Sequence, residues 1–170
     1  WIEFARGIRV GATPVRWPAW LVEPGDIGRE PARGPVERAE QMRAEMESDA
    51  VPINPLRLCK EIDGVLDDNT IVIGDGGDFV ATAASVLRIS KIGQWLDPGP
   101  LGTLGVGPGY AMAAKLAKPG SNVIIVYGDG AFGMTAFDME TADRFGAPYM
   151  AVIGNNSAMN QIRCGQIIKY

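Results

Sequence analysis

The sequence predicts an α/β fold with a doubly wound parallel sheet, and three observations predict it. The runs "NTIVIGDGG" (69–77), "NVIIVYGDG" (122–130) and "PYMAVIGNN" (148–156) are apolar without polar alternation, the pattern of strands buried on both faces. Segments with helical spacing separate them, as crossover units of a parallel sheet require. Each run breaks at glycine and then a polar residue, so all three place their loops at the carboxyl end of a strand.

The elements follow in order. Residues 10–35, "VGATPVRWPAWLVEPGDIGREPARGP", carry five prolines in 26 residues, too many for a helix. Residues 1–52 therefore read as a linker from a preceding domain, with "VERAEQMRAEMESDA" (36–50) as a charged, solvated helix. From 53 to 170 the pattern is regular. Asn54-Pro55 is an N-cap followed by proline at the first helical position. Leu58, Cys59, Ile62, Val65 and Leu66 then form one helical stripe. "DFVATAASVLRI" (78–89) reads as the next helix. A glycine-rich loop, "PGPLGTLGVGPGYAMAAKLAKPG" (98–120), enters a helix at about Tyr110–Leu116. "TAFDMETADRF" (135–145) reads as a helix before the last strand. No internal repeat or low-complexity tract interrupts this order.

Composition excludes several classes. The 170 residues suffice for one domain with its own core, and 46% hydrophobic against 21% charged content makes it globular. A net charge of −4 argues against non-specific nucleic-acid binding. No apolar run approaches the roughly 20 residues that span a bilayer. No signal peptide opens the sequence, and Trp1 is no initiator methionine, so it reads as cut from something longer. Cys59 and Cys164 have neither metal-like nor disulfide-like spacing, which leads us to expect a reduced, cytoplasmic setting. Histidine is absent, so this segment supplies no imidazole for acid–base work.

The chemistry concentrates in three strand-end loops: Gly74–Asp78, Gly128–Phe132 and Asn155–Ala158. Glycine lets backbone approach a phosphate, and helix N-termini offer amide donors to it. Asp129 and Asn156 carry hard oxygens of the kind magnesium prefers. Taken singly, Gly128–Gly130 reads as a tight turn and Asn155-Asn156 as a turn with left-handed residues. Taken together, the loops point to a divalent cation and a phosphate-bearing cofactor.

Gly128-Asp129-Gly130, followed after a helix and a strand by Asn155-Asn156, resembles the thiamine diphosphate signature. The resemblance spans residues 53 to 170. It is to the cofactor-diphosphate domain of the acetolactate synthase, oxalyl-CoA decarboxylase and 2-hydroxyacyl-CoA lyase group, and so implies the thiamine diphosphate-binding fold. It implies that Asp129, the side chain of Asn156 and the carbonyl of Ala158 bind Mg2+. Backbone at Gly76, Gly77, Gly128, Gly130, Ala131 and Met159 would cradle the diphosphate. In relatives, the loop matching "PLGTLGVGPGYAMAA" wedges an apolar side chain between the two cofactor rings. Leu104 holds that position, and the Gly102 carbonyl would accept from the 4′-amino group; the bland reading of Leu104 is a core leucine.

One loop departs from acetolactate synthases, which carry Gln and His where this sequence holds Gly77 and Asp78. An aspartate facing a diphosphate is repelled, so Asp78 either caps the following helix or faces the substrate. The resemblance implies a C–C bond lyase or carboligase, of 2-hydroxyacyl-CoA lyase or oxalyl-CoA decarboxylase type, with acetolactate synthase as the alternative. Substrates would be small 2-oxo acids or acyl-CoA thioesters. In the family, an activating glutamate comes from a pyrimidine-binding domain of a second subunit. No catalytic residue is therefore expected in this chain, where Glu61 and Glu140 lie on helices remote from the Leu104 loop, and a homodimer or tetramer is expected. Two further readings are a non-catalytic fragment that keeps the fold and a nicotinamide enzyme suggested by "GVGPG" (105–109). The second lacks the full dinucleotide fingerprint.

Overall fold

A computed structural model describes residues 35–170. The proline-rich stretch expected as a linker lies outside the described residues, except for Pro35. Two units divide the chain between Ala44 and Glu45. Of the first, only residues 35–44 are described, within helix α1 (Pro35–Met46), where the charged helix was expected.

The second unit opens with α2 (Pro55–Val65). Its start is local chemistry: the Asn54 side chain accepts from the Leu56 N–H at 2.8 Å, ahead of proline at the first position. Cys59 and Ile62, from the predicted stripe, are buried, whereas Val65 is exposed. Next come β1 (Thr70–Asp75), α3 (Asp78–Val86), β2 (Trp95–Leu96) and a 3-10 turn at Gly99–Leu101. They are followed by α4 (Gly107–Ala117), β3 (Asn122–Gly128), α5 (Asp129–Thr135), α6 (Asp138–Arg144), β4 (Met150–Gly154) and α7 (Asn160–Lys169).

The four strands are all parallel, in the order β2-β1-β3-β4. Alternation along β1 and β3 sends successive side chains to opposite faces. Ile71, Ile73, Val123, Ile125 and Tyr127 meet Ala111 and Ala114 of α4 on one face. Val72 and Val126 meet Cys59 and Ile62 of α2 and Phe79 and Ala83 of α3 on the other. Helices on both faces make the sheet doubly wound. The chain leaves β1 towards β2 on one side and returns to β3 on the other, so the strand order reverses between β1 and β3. At such a switch point the strand-end loops part and leave a crevice.

Several elements differ from the sequence reading. Strand β2 has two residues, placed by pairing Trp95 with Val72 and Leu96 with Ile73; so short a run carries no periodic signal. Helix α4 starts at Gly107, three residues before Tyr110, with Pro108 in its first turn. Between β3 and β4 there are two helices: α5, which ends at Thr135 and was not expected, and α6, which lies within the span 135–145 read as a helix. The first begins at Asp129 itself, in a glycine-containing segment, "DGAFGMT", of low intrinsic helix propensity.

Candidate functional site

The loops at the carboxyl ends of the strands enclose a cleft of about 510 Å³. Its lining includes Gly76, Gly77 and Asp78 after β1, Gly102 and Leu104 before α4, and Gly128, Asp129, Gly130 and Ala131 after β3. Asn156, Ala158 and Met159 after β4 complete it. The residues expected to hold the cofactor and the metal thus line one space at the switch point, whereas Asn155 does not line it.

The floor depends on close backbone approach. Gly76 has φ +147°, a conformation that side-chain-bearing residues rarely adopt, and a Cβ there would sit 2.6 Å from the Gly128 nitrogen. The chain can pass this close to the end of β3 because Gly76 lacks a side chain. A Cβ on Gly130 would meet the Met159 side chain at 2.8 Å, so Met159 closes onto the first turn of α5.

The two polar residues converge. Asp129 Oδ2 accepts from the Ala158 N–H at 3.1 Å, and Asn156 Oδ1 accepts from the same N–H at 3.3 Å. Asp129 Oδ1 accepts from the Gly130 N–H at 2.7 Å. The Ala158 carbonyl accepts from the Asn160 N–H at 2.9 Å. Between Asn156 and Ala158, Ser157 takes φ +59°, a left-handed conformation held while its N–H donates to Asn155 Oδ1 at 2.9 Å. The left-handed residue of this turn is therefore Ser157 rather than either asparagine.

Asp78 does not cap α3. Gly77 occupies the cap position without a side-chain bond, and Asp78 is the first helical residue, exposed on the cleft wall. Its negative charge suits the positive end of the helix. Leu104 is half-buried: it lines the cleft and also packs on the α4-side core. Among the described residues no Lys or Arg lines the cleft, whereas Asp78, Asp97 and Asp129 do. Glu61 and Glu140 lie outside it, paired with Arg57 at 2.7 Å and Arg144 at 3.0 Å. Among the described residues no three His, Cys, Asp or Glu side chains gather into a metal-holding group. A cation here would thus be held by one carboxylate with amide and carbonyl oxygens.

The family profile described as "Thiamine pyrophosphate enzyme, C-terminal TPP binding domain" matches residues 75–170. The chain belongs to this family. As a thiamine pyrophosphate enzyme domain, it is 36% identical over 166 residues to 2-hydroxyacyl-CoA lyase 2 of Danio rerio, covering 98% of this chain and 25% of that protein. It is 43% identical over 115 residues to 2-hydroxyacyl-CoA lyase 2 of Homo sapiens, covering 68% of this chain and 18% of that protein. With the acetolactate synthase large subunit IlvG of Mycobacterium tuberculosis it shares 42% identity over 114 residues, 67% of this chain and 21% of that protein. The chain thus spans a quarter or less of the length of these relatives.

Sequence reasoning missed Asp75, Trp95 and Asp97. Trp95 and Asp97 form part of the cleft wall, the Trp95 Nε1–H donating to Asp97 Oδ2 at 2.6 Å. Asp75 is fully buried beside the cleft, and its signal was present: Gly74-Asp75-Gly76 repeats the tripeptide Gly128-Asp129-Gly130.

Proposed function

We propose that this chain is the diphosphate- and magnesium-binding domain of a C–C bond lyase or carboligase acting on 2-hydroxyacyl-CoA-like substrates. The observation that carries the reading is the convergence of Asp129 and Asn156 oxygens on one backbone N–H, in a cleft lined by glycine and, among the described residues, by no cationic side chain. A diphosphate in such a cleft needs a metal ion for neutralisation. The donor set fits a hard divalent cation: a carboxylate has about four lone-pair sites, of which Asp129 uses two, and the Ala158 carbonyl keeps one.

When bound, thiamine diphosphate supplies a nucleophilic carbon and an electron sink for making or breaking the C–C bond. Asp129, Asn156 and the Ala158 carbonyl would hold Mg2+. The backbone of Gly76, Gly77, Gly128, Gly130, Ala131 and Met159 would line the diphosphate. Leu104 would set the angle between the cofactor rings, and the Gly102 carbonyl would accept from the 4′-amino group. Among the described residues no glutamate lines the cleft, in keeping with an activating glutamate from a pyrimidine-binding domain of a second subunit, in a homodimer or tetramer. Gly77 and Asp78 favour the lyase; the likeness to a named acetolactate synthase supports that activity as the second reading. A cytoplasmic setting belongs to the same proposal.

Calorimetry of thiamine diphosphate binding to the intact protein with Mg2+ tests this reading. Asp129→Ala should weaken binding at least tenfold, about 1.4 kcal/mol. Unchanged binding would reduce the Gly-Asp-Gly turn to a structural one.

A further inference from the structure

We propose that Asp75 is a positioning residue that holds the loop carrying Gly102 and Leu104 against the end of β1. The catalytic part of this proposal rests on the function proposed above; the clamp itself does not. Asp75 is the last residue of β1 and is 0% exposed. Alternation puts it on the same face as Ile71 and Ile73, the face that α4 covers. There its Oδ1 accepts from the Gly105 N–H at 2.8 Å and its Oδ2 from the Gly107 N–H at 2.6 Å.

Both donors belong to the entry into α4, where amides have no helical acceptor and the helix end favours negative charge. Among the described residues no cation hydrogen-bonds this carboxyl group, and these two amides are its donors. The fit is tight. A Cβ on Gly107 would lie 2.8 Å from Asp75 Oδ2 and 3.0 Å from both Ile125 Cγ2 and the Tyr127 hydroxyl. Gly105, with φ +81°, lies next to Leu104. A two-point bond to positions 105 and 107 thus fixes the backbone direction from which Leu104 enters the cleft. A wedge that sets a cofactor angle needs such a fixed base, because sub-ångström placement governs reaction geometry.

The test uses the intact protein with two substitutions. Asp75→Asn removes the charge and turns one acceptor into a donor facing an N–H. Gly107→Ala keeps the carboxylate and pushes the loop away from it. In cofactor-free protein, both should speed amide hydrogen exchange at Gly105 and Gly107 at least tenfold, with Ile73 and Ile125 unchanged within threefold. With cofactor and Mg2+, turnover of a 2-hydroxyacyl-CoA should fall at least tenfold while thiamine diphosphate Kd changes less than threefold. Unchanged loop exchange in Asp75→Asn overturns the clamp. Faster exchange throughout the sheet, or Kd and turnover falling equally, makes Asp75 a general structural residue and overturns positioning. Faster loop exchange with unchanged turnover does the same. Should Asp75→Asn fail to fold, Gly107→Ala decides by the same readouts. A wild-type protein that binds no thiamine diphosphate defeats the functional reading and with it the catalytic role, while the exchange arm still decides the clamp.

Discussion

Gly74-Asp75-Gly76 and Gly128-Asp129-Gly130 are the same tripeptide at the ends of adjacent parallel strands, yet their aspartates do opposite things. The register explains why. Asp75 pairs with Tyr127, which leaves Asp129 two residues further along the sheet. Asp75 is still within its strand, so the pleat turns it into the core, where two amides satisfy it. Asp129 lies beyond the last residue of β3 and opens a helix, so its carboxylate is partly open to the cleft. A displacement of two residues converts one motif from a buried acceptor into a candidate metal ligand. A short motif acquires its chemistry from where the strand ends.

The largest expected effect separates the two aspartates by stability. Asp75→Ala leaves two amides without their charged acceptor, which at about 1.5–3 kcal/mol for each bond should cost about 3 kcal/mol or more in urea unfolding. Asp129→Ala, at a wetter site, should cost about 1 kcal/mol or less. Equal losses would mean that register does not distinguish the turns.

Next in size is the loop that Asp75 holds. Leu104→Ala should lower turnover roughly tenfold and change cofactor affinity by less, since placement acts mainly in the transition state. Steady-state kinetics beside calorimetry checks this. A parallel loss of both would make Leu104 a core leucine that merely borders the cleft.

The smallest effect comes from an aspartate outside both turns. Burial alone would raise the pKa of Asp63, but the side-chain and backbone hydrogen bonds from Arg88, and its charge, outweigh burial and hold it below the ordinary value. A carboxylate depressed in the folded state contributes stability above its unfolded pKa of about 3.9 and loses it as pH falls through the lower folded value. Asp63→Asn should therefore lower stability slightly at pH 7, by less than about 1 kcal/mol given the exposed Arg88. It should also flatten the decline in urea midpoint below about pH 4. An unchanged pH profile would show that the pair contributes nothing measurable.

Some of this molecule was legible in the sequence because the causes are local. The runs in β1 and β3 read as buried strands because both faces are covered, which removes the polar alternation an exposed face would impose. The start of α2 was legible because the Asn54 cap acts across two residues. The candidate residues that line the cleft were legible because glycines and hard oxygens recur at the ends of β1, β3 and β4, and the fold brings them together by bringing strand ends together. Tertiary structure alone decided the rest. The order β2-β1-β3-β4, the two-residue β2 and the helix α5 in place of a loop depend on pairing and packing between segments far apart in sequence. Asp75 shows the limit most plainly. Its partners lie 30 and 32 residues away, and only the crossover that carries the chain from β2 over the sheet into α4 brings those amides to the end of β1. A hydrogen bond of that span leaves no periodicity in the sequence, because its geometry is set by the sheet and not by the spacing of residues.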